Sequence, residues 1–390
     1  MEVWMFNNYK FLSPKSIYYG LGSLEVYFNK TFNIGKKALI VTDKVVMEKG
    51  YVDKLLNILK KQNINQYIFN EIDSEPTDIH VQKGIQSFNN YDCDFLIALG
   101  GGSPIDTAKA ISVMINNPGN INDYMGIGKI IKKGSPLIAI PTTAGTGSEA
   151  TQFTIITDTE NQVKMLIGSE YLVPDVAIDD SIFTVSLPPQ ITAATGVDAL
   201  THAVEAYTSI KNQPITDIFA LSAIKRINQY LKRAWLDEDD KEARSEMMLA
   251  ALEAGLAFSN SSVTIVHGMS RPVGALFHIP HGISNAVLLP ACMEFAISGV
   301  PDRFAKVAET MGANTNNLSP IAAARQAVFL IKKLCQEVKI PTITGLGIKK
   351  EDFLDKLEKM ASDAMKSGSP NNTFRKPTKE DIIDIYKKSL

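Results

Sequence analysis

The chain has 390 residues, of which 45% are hydrophobic, and a formal net charge of −2; this length predicts two domains, each able to bury its own core. Lysine and arginine form no basic run, which argues against nucleic acid or an anionic membrane as the main partner. The cysteines Cys93, Cys292 and Cys335 are far apart, so we expect no disulfide framework and a reducing, cytoplasmic compartment.

The N-terminal sequence MEVWMFNNYKFLSPK has no basic segment followed by an apolar core, and therefore predicts no signal peptide. No apolar run in the chain approaches the ~18 residues that a transmembrane helix needs. Together these features predict a soluble intracellular protein.

Up to about residue 185 the sequence alternates between strand-like and helix-like segments. Continuous apolar runs predict buried strands, and apolar residues at helical spacing predict helices between them. The predicted strands are KKALIVTDK, INQYIFNEI, CDFLIALGGGS and PLIAIPTT, and the predicted helices are VDKLLNILKKQN, HVQKGIQSFNN and PIDTAKAISVMINN. This alternation is typical of a parallel sheet covered by helices on both faces.

From Pro188 and Pro189 onward strand patterns nearly vanish, and the two prolines are well placed to open a helix. Five segments predict helices of 12 or more residues: ITAATGVDALTHAVEAYTS, FALSAIKRINQYLKRAW, ARSEMMLAALEAGLAFSN, IAAARQAVFLIKKLCQEV and EDFLDKLEKMASDAMK. The tail SGSPNNTFRKPTKED predicts a turn-rich connection to one last helix. We therefore expect an α/β domain over residues 1–185 and an all-helical domain over residues 186–390.

The segment ALGGGSPIDTAKA predicts a strand, a glycine turn and the start of a helix. Glycines let a phosphate approach the backbone, and the helix N-terminus offers unpaired N–H groups. The segment is not a GxGxxG fingerprint, so the pattern is compatible either with diphosphate binding or with a tight strand-to-helix turn that binds nothing. Asp106 and Lys109, in the first turns of the helix, are either cofactor ligands or an ordinary surface pair.

Two further segments follow predicted strands at the edge where open α/β sheets bind ligands. Asp43, in IVTDK, is either a solvated loop residue or a partner of the adenosine ribose hydroxyls, and in the second role it would favour NAD over NADP. The loop PTTAGTGSEA is rich in small and hydroxyl residues, so it can lie close to a flat cofactor and bond it through Thr142, Thr143 and Ser148.

Histidines suggest a metal site in the second half. Asp198 and His202, in DALTH, are four residues apart on a predicted helix, which places both side chains on one face. The segment HGMSRPVGALFHIPHG contains three of the five histidines of the chain, and His267 and His281 from it can complete the set. Three imidazoles and one carboxylate suit Zn²⁺ or Fe²⁺; an isolated D-x-x-x-H pair is more often an ordinary helix surface.

The segments GGGSPIDTAKA, PTTAGTGSEAT, GVDALTHAVEAY and AFSN…VHGMSRPVGALFHIPHG occur in this order. They resemble the iron-containing (group III) alcohol dehydrogenases, and the resemblance covers essentially the whole chain. It implies the dehydroquinate synthase-like fold, with an NAD-binding α/β domain, a helical metal-binding domain, the cofactor in the cleft between them, and a homodimer or larger assembly.

The resemblance also implies roles for individual residues. It implies metal ligation by Asp198, His202, His267 and His281. It implies cofactor contacts at Asp43, the Gly101-Gly102-Ser103 turn, Thr142, Thr143 and Lys164. Asp106 is a further cofactor candidate, and Phe258, Arg271 and His278 are candidates on the substrate side. The implied reaction is hydride transfer between a nicotinamide and a short-chain aldehyde or primary alcohol, with Fe²⁺ or Zn²⁺ as a Lewis acid.

One position departs from the family pattern. Many members have a second histidine four residues after the third ligand, where this chain has Arg271, which puts a proton relay through that histidine in doubt. Arg271 can pair with an acid on a neighbouring helix, contact the cofactor diphosphate or ribose, or bind a carboxylate, sulfonate or phosphonate tail of the substrate. His278 is an extra histidine near the site, expected to lie outside the ligand set.

Two other functions compete with this interpretation. A sugar-phosphate cyclase of the dehydroquinate synthase type would share the fold, NAD and a metal, but it needs a more basic phosphate pocket. An inactive protein that binds NAD and a metal is the alternative from another class, and it is disfavoured because every expected ligand position is filled.

Overall fold

A computed structural model describes residues 8–30 and 32–390. Residues 1–7, on which the expectation of no signal peptide partly rests, lie outside the described residues. Among the described helices none is by itself long and apolar enough to cross a membrane; only two consecutive helices, residues 241–261 and 265–277, reach that length and composition together, and they are bent by 104°.

A six-stranded parallel sheet organises the first half of the chain. Its strands run in the order β1-β9-β6-β4-β2-β3. They are β1 Ser16–Tyr19, β2 Lys37–Asp43, β3 Asn65–Ile72, β4 Phe95–Gly100, β6 Leu137–Pro141 and β9 Val176–Asp179. The helices of this half are α1 Ser23–Lys30, α2 Lys44–Glu48, α3 Tyr51–Lys61, α4 Asp78–Asn90 and α5 Gly102–Met114.

Alternate residues of the sheet point into two separate hydrophobic cores. Ala38 and Ile40 of β2 pack with α1 and α3, whereas Leu39 and Val41 pack with α4 and α5. Both faces are therefore covered, as the continuous apolar strands predict.

A second, smaller sheet was not predicted. It contains β5 Gly126–Ile127, β7 Phe153–Asp158 and β8 Val163–Gly168, in the order β5-β8-β7, and β7 and β8 form an antiparallel pair. The residues of β7 alternate between buried and half-buried positions, which is the burial pattern of a strand with one covered face.

The second half is helical. Its helices are α6 Pro189–Tyr207, α7 Pro214–Leu236, α8 Lys241–Ser261, α9 Ile265–Phe277, α10 His281–Ala296, α11 Pro301–Thr310, α12 Pro320–Glu337, α13 Lys350–Asp355, α14 Leu357–Lys366 and α15 Lys379–Lys388. The described residues after β9 contain no strand, and one isolated bridge joins Ser209 to Thr373. The predicted fold class, an α/β domain followed by an all-helical domain, is confirmed. The division at residues 185 and 186 stays a prediction and falls between β9 and α6.

The prediction of one helix over residues 351–366 is wrong, because the chain bends at Lys356. The N–H of Lys356 bonds to the carbonyl of Phe353, three residues back, and its φ of −94° and ψ of −2° tighten the turn. Phe353 and Leu357 are both buried in the helical core, so packing on both sides of the bend overrides the continuous periodicity.

The strand order places two predicted cofactor segments side by side. From β2 the chain moves outward to β3, then crosses back over β2 to β4 and continues through β6 and β9 on the other side. The direction of winding therefore reverses between β2 and β4, and ligands of open α/β sheets bind beside the carboxyl ends of the strands at such a point. Asp43 ends β2 and Gly100 ends β4.

Two glycines bring the halves of the molecule into close contact. Gly147, in the loop after β6, has a φ of +60°, and a Cβ there would lie 2.6 Å from the Cα of Gly255 in α8. The same loop meets α6, since a Cβ at Gly145 would lie 2.6 Å from the Cβ of Thr195. The PTTAGTGSEA loop thus lies between the sheet and the helical domain.

Candidate metal centre and cofactor cleft

The structure brings the four predicted metal ligands together. Asp198 and His202 lie on α6, His267 lies in the first turn of α9, and His281 opens α10. One ligand atom from each lies within 4.8 Å of the other three. The first three side chains are buried and that of His281 is half-buried. Residues 83 positions apart in sequence thus converge on a single point.

The local fold explains why these particular side chains meet. The spacing of Asp198 and His202 aligns them on one face of α6, as predicted. The chain reverses between α9 and α10 through His278, whose φ is +54°, and Pro280 precedes the first residue of α10. This short reversal places the rings of His267 and His281 with their centroids 5.3 Å apart.

The side chains around the ligands hold their rings in place. The Nε2 atoms of His202 and His267 face each other at 2.9 Å. The ring of Phe258 stacks on that of His202, with a centroid distance of 4.1 Å and an interplanar angle of 14°. Asn285, which the sequence interpretation missed, donates from Nδ2 to Asp198 Oδ1 at 2.6 Å and lies 3.1 Å from the Nε2 atoms of His267 and His281. Its position four residues after His281 is the signal that could have found it.

Burial keeps the three imidazoles in the neutral form. It lowers the pKa of His202 to about 4 and that of His281 to about 3, and it holds the pKa of His267 well below its ordinary value. Burial raises the pKa of Asp198, while His281 and the hydrogen bond from Asn285 lower it. A metal ligand must offer a lone pair, so neutral imidazoles and a carboxylate form a donor set suited to a divalent cation.

Arg271 lies one turn after His267 on α9, and its guanidinium is poorly partnered. Nη1 donates to Ser369 Oγ at 3.3 Å, and no carboxylate among the described residues lies within ion-pair distance of it. Its positive charge lowers the pKa of both His267 and His281. The pairing with an acid on a neighbouring helix, one of its three predicted roles, is therefore not found in the described part of the chain.

His278 does not join the ligand cluster. It ends α9 in the left-handed conformation with an exposed side chain. This agrees with the expectation that it lies outside the ligand set, and its assignment to the substrate side stays a prediction.

The glycine turn after β4 has the features of a phosphate site. The first N–H groups of a helix have no intrahelical partner. Gly101 precedes α5 and makes no side-chain capping bond, so these N–H groups are available to a ligand. The turn lies against the loop after β6: the N–H of Thr142 bonds to the carbonyl of Gly100 at 3.0 Å, and a Cβ at Gly101 would lie 3.5 Å from Thr143 Oγ1. The two predicted cofactor loops form one surface, and free N–H groups at a helix N-terminus fit a diphosphate.

Asp106 and Lys109, near this surface, both have partners within the α/β half. Asp106 accepts from Ser148 Oγ at 2.6 Å and from the N–H of Ile155 at 2.9 Å, so it braces the loop after β6. Lys109 is fully buried and donates to Thr151 and to the carbonyl of Phe153, so an exposed Asp106–Lys109 pair is excluded. The predicted cofactor role of Asp106 stays a prediction.

The remaining cofactor candidates, Asp43 and Lys164, each have a partner within the chain. Asp43 caps α2 by accepting from the N–H of Val46 at 2.8 Å. Lys164, on β8, pairs with Glu75 at 2.6 Å. A cavity of about 430 Å³ beside β2 and β3 is lined by residues that include Lys44, Asn70 and Thr77. The roles of Asp43 and Lys164 stay predictions.

Family models and curated relatives both match this chain to one protein family. The model of the iron-containing alcohol dehydrogenases matches residues 14–181, and that of the C-terminal region of the Fe-containing alcohol dehydrogenase family matches residues 192–390. The NAD-dependent methanol dehydrogenase of Bacillus methanolicus is 38% identical over 97% of this chain and 99% of its own length.

Solved structures agree over the same length. A 1,3-propanediol oxidoreductase matches with a TM-score of 0.95 at 36% identity, covering 98% of this chain and 100% of its own. A sulfoacetaldehyde reductase from Bifidobacterium kashiwanohense, solved in complex with NAD+, matches with a TM-score of 0.87 at 27% identity, covering 98% of this chain and 99% of its own. With both halves matched by family models and the four ligands together, this chain belongs to the iron-containing alcohol dehydrogenase family.

Proposed function

We propose that this chain transfers hydride between NAD(H) and a short-chain aldehyde or primary alcohol, at one divalent metal held by Asp198, His202, His267 and His281. The convergence of four ligand atoms within 4.8 Å carries the proposal. Membership of the family supports Fe²⁺ as the resident ion, and Zn²⁺ suits the same donors.

The side chains of the cleft have distinct tasks in this function. When bound, the metal supplies Lewis acidity at the substrate oxygen, and NAD accepts or delivers the hydride. The α5 N-terminus binds the cofactor diphosphate, and the loop of Thr142 and Thr143 positions the nicotinamide half against the helical domain. Phe258 covers one face of His202 and helps to keep water from the ligands. The cleft thereby aligns the substrate with the nicotinamide.

Asp43 supports NAD rather than NADP as the cofactor. Its carboxylate lies at the carboxyl end of β2, beside the point where the sheet reverses its winding. One of its oxygens caps α2, and the other is available to the adenosine ribose hydroxyls. A phosphate on the 2′-oxygen would meet this negative charge, so we assign the NAD preference to Asp43.

Arg271 is assigned to an anionic tail on the substrate. Three features support this assignment: its place one turn from His267, its single hydrogen bond, and the absence of a carboxylate within ion-pair distance among the described residues. A planar guanidinium binds carboxylate, sulfonate or phosphonate through paired hydrogen bonds. One matched structure is named a sulfoacetaldehyde reductase, whereas the names of the methanol and propanediol relatives point to uncharged alcohols.

The metal assignment is tested by Asp198→Ala, with Asp384→Ala as the control because Asp384 is exposed on α15. We expect Asp198→Ala to lose bound metal and turnover together, while the control keeps both. Net oxidation of NADH by simple aldehydes separates a dehydrogenase from a sugar-phosphate cyclase. Full metal content and turnover in Asp198→Ala, or a metal-loaded protein inactive on a broad aldehyde panel, would contradict the proposal.

The substrate assignment is tested by steady-state kinetics. We expect kcat/KM for succinate semialdehyde, sulfoacetaldehyde or phosphonoacetaldehyde to exceed that for propanal and butanal. Arg271→Gln should lower kcat/KM for the anionic aldehyde by at least about 10–100-fold, the value of one charge-assisted hydrogen bond, and should change that for propanal little. Equal values for charged and neutral aldehydes would show that Arg271 has another role, of which contact with the cofactor is the predicted alternative.

The same proposal includes a cytoplasmic homodimer. Family resemblance is its support, together with the reduced state expected for three separated, buried cysteines. Sedimentation equilibrium of the purified protein tests the assembly: a mass of one 42.7 kDa chain would overturn the dimer.

A further inference from the structure

Glu205 is a fully buried carboxylate that the proposed function does not use. It lies on α6, three residues after His202 and seven after Asp198, so the three side chains share one face of the helix. No lysine or arginine of the described residues lies within ion-pair distance of it. A buried carboxylate without a counter-charge is costly unless several donors satisfy it.

The donors that satisfy Glu205 come from the start of α9. Oε1 accepts from Thr264 Oγ1 at 2.8 Å and from the N–H of Val266 at 2.6 Å. Oε2 contacts Nδ1 of His267 at 2.5 Å. Thr264, at the N-cap of α9, makes no capping bond to its own helix, and Glu205 takes that place from α6. The carboxylate also meets the positive end of the α9 dipole.

These contacts fix the state of the His267 ring. A carboxylate only accepts hydrogen bonds, so Nδ1 of His267 carries the hydrogen and Nε2 carries the lone pair. Nε2 is the atom that faces His202 Nε2 at 2.9 Å and belongs to the ligand cluster. The hydrogen bond at Nδ1 therefore determines both the direction of the ring and which nitrogen can bind a metal.

We propose that Glu205 is a positioning residue for the metal, which holds His267 in the Nδ1–H form with Nε2 turned into the cluster. This inference rests on the proposed ligand set. Carboxylate partners of metal-bound histidines raise ligand basicity, and their loss typically weakens metal binding by about 10–100-fold. Glu205 thus links the helix that carries two ligands to the helix that carries a third.

Glu205→Gln separates positioning from helix capping. The amide oxygen of glutamine can still accept from Thr264 and Val266, whereas its NH₂ group would meet the N–H of His267 donor to donor. The ring would then favour the tautomer with hydrogen on Nε2, and a protonated Nε2 has no lone pair to offer a cation in the cluster. Glu253→Gln is the control, because Glu253 is another mostly buried glutamate of this domain whose partners are Ser222 and Arg226.

The test measures the Zn²⁺ dissociation constant of metal-free protein by competition with a chromophoric chelator. We expect Glu205→Gln to weaken Zn²⁺ binding by about 10–100-fold, and Glu253→Gln to bind Zn²⁺ like the wild type. NADH binding, followed by fluorescence, should be unchanged in both variants, which also establishes that they are folded. Wild-type Zn²⁺ affinity in a folded Glu205→Gln, with or without lower thermal stability, would overturn the proposal and leave a purely capping role.

A second measurement needs no variant at Glu205. In the Zn²⁺-loaded wild type with ¹⁵N-labelled histidine, the His267 signals, assigned by their absence in His267→Asn, should show hydrogen on Nδ1. Hydrogen on Nε2 of His267 would overturn the proposal even if Glu205→Gln fails to fold. Failure of the wild type to bind Zn²⁺ or Fe²⁺ at all would instead contradict the proposed metal site on which the inference rests, so the two failures are distinguishable.

Discussion

The two halves of the proposed cleft differ in the groups that they offer to ligands: side chains in one half and backbone N–H groups in the other. In the helical half the site consists of buried side chains from α6, α9 and α10, held by stacking and hydrogen bonds. In the α/β half the proposed cofactor site consists of backbone at strand ends, where glycines leave the α5 N–H groups accessible. A metal needs specific donor atoms, whereas a diphosphate needs only N–H groups and room. We therefore expect single substitutions to act abruptly in one half and gradually in the other.

The largest effect is expected in the helical half. His202→Ala removes one of four ligands, and loss of the metal's Lewis acidity, worth several kcal/mol, corresponds to a fall in kcat of at least about 10³-fold. Metal content by mass spectrometry should fall in parallel, while the NADH dissociation constant stays near the wild-type value. Loss of NADH binding with retained metal would contradict the assignment of metal binding to the helical half and cofactor binding to the α/β half.

A graded effect is expected in the α/β half. A Cβ at Gly102 would lie 3.1 Å from Thr146 Cγ2, so Gly102→Ala crowds the turn slightly and Gly102→Val crowds it strongly. We expect Gly102→Val to raise the NADH dissociation constant by about 10–100-fold, the value of one lost charge-assisted hydrogen bond, with Gly102→Ala in between. Metal content should be unchanged, and equal NADH binding by all three proteins would remove this turn from the cofactor site.

Two buried acids of the α/β half, Glu149 and Asp179, are expected to make the stability of the fold depend on pH. Burial raises the pKa of Glu149 to about 7, and burial together with the nearby charge of Glu149 raises the pKa of Asp179 well above its ordinary value. The folded state therefore keeps protons that the unfolded state loses above its ordinary pKa of 4.5. The pair's stabilising contribution is full below that pH and is lost as the pH rises through about 7.

Asp179→Asn removes one titrating group and leaves an amide that can donate to Glu149. The free energy of unfolding of the wild type should fall between pH 5 and pH 8. In the variant we expect this fall to be smaller by on the order of 1–2 kcal/mol. Urea denaturation at the two pH values measures this, with the exposed Asp384→Asn as control. An unchanged pH dependence would contradict the raised pKa values of these two acids.

The smallest effect is expected at Lys164. It is partly exposed and pairs with Glu75, and exposed ion pairs contribute about 0–1 kcal/mol. Lys164→Met should therefore change the NADH dissociation constant by no more than about fivefold. A change as large as that of Gly102→Val would make Lys164 a principal cofactor ligand.

The sequence predicted the family, the fold class, the enzyme class and the iron and NAD cofactors, and the comparisons confirm them. The cluster in the helical half was predictable because Asp198 and His202 follow helical spacing, and the other two candidate ligands come from a chain poor in histidine; their roles as ligands stay predictions. The small sheet and the bend at Lys356 were not predicted, because packing against distant residues determines both.

Residues that act through others were the hardest to predict. Asn285 and Glu205 each follow a ligand at helical spacing, but such a position alone does not separate a partner from an ordinary core residue. Contacts between helices distinguish them: Asn285 reaches Asp198, 87 residues away, and Glu205 reaches His267, 62 residues away. In the sequence, Arg271 is unusual only by comparison with the family pattern. The structure was needed to show that no carboxylate of the described residues lies within ion-pair distance of it.

The most direct test of the account is a crystal of the Fe²⁺- or Zn²⁺-loaded protein, with diffraction recorded on both sides of the metal absorption edge. We predict one anomalous peak about 2.0–2.2 Å from the three histidine Nε2 atoms and from a carboxylate oxygen of Asp198. A fully loaded protein with its peak elsewhere, or with any of these four residues outside the coordination shell, would contradict the metal centre.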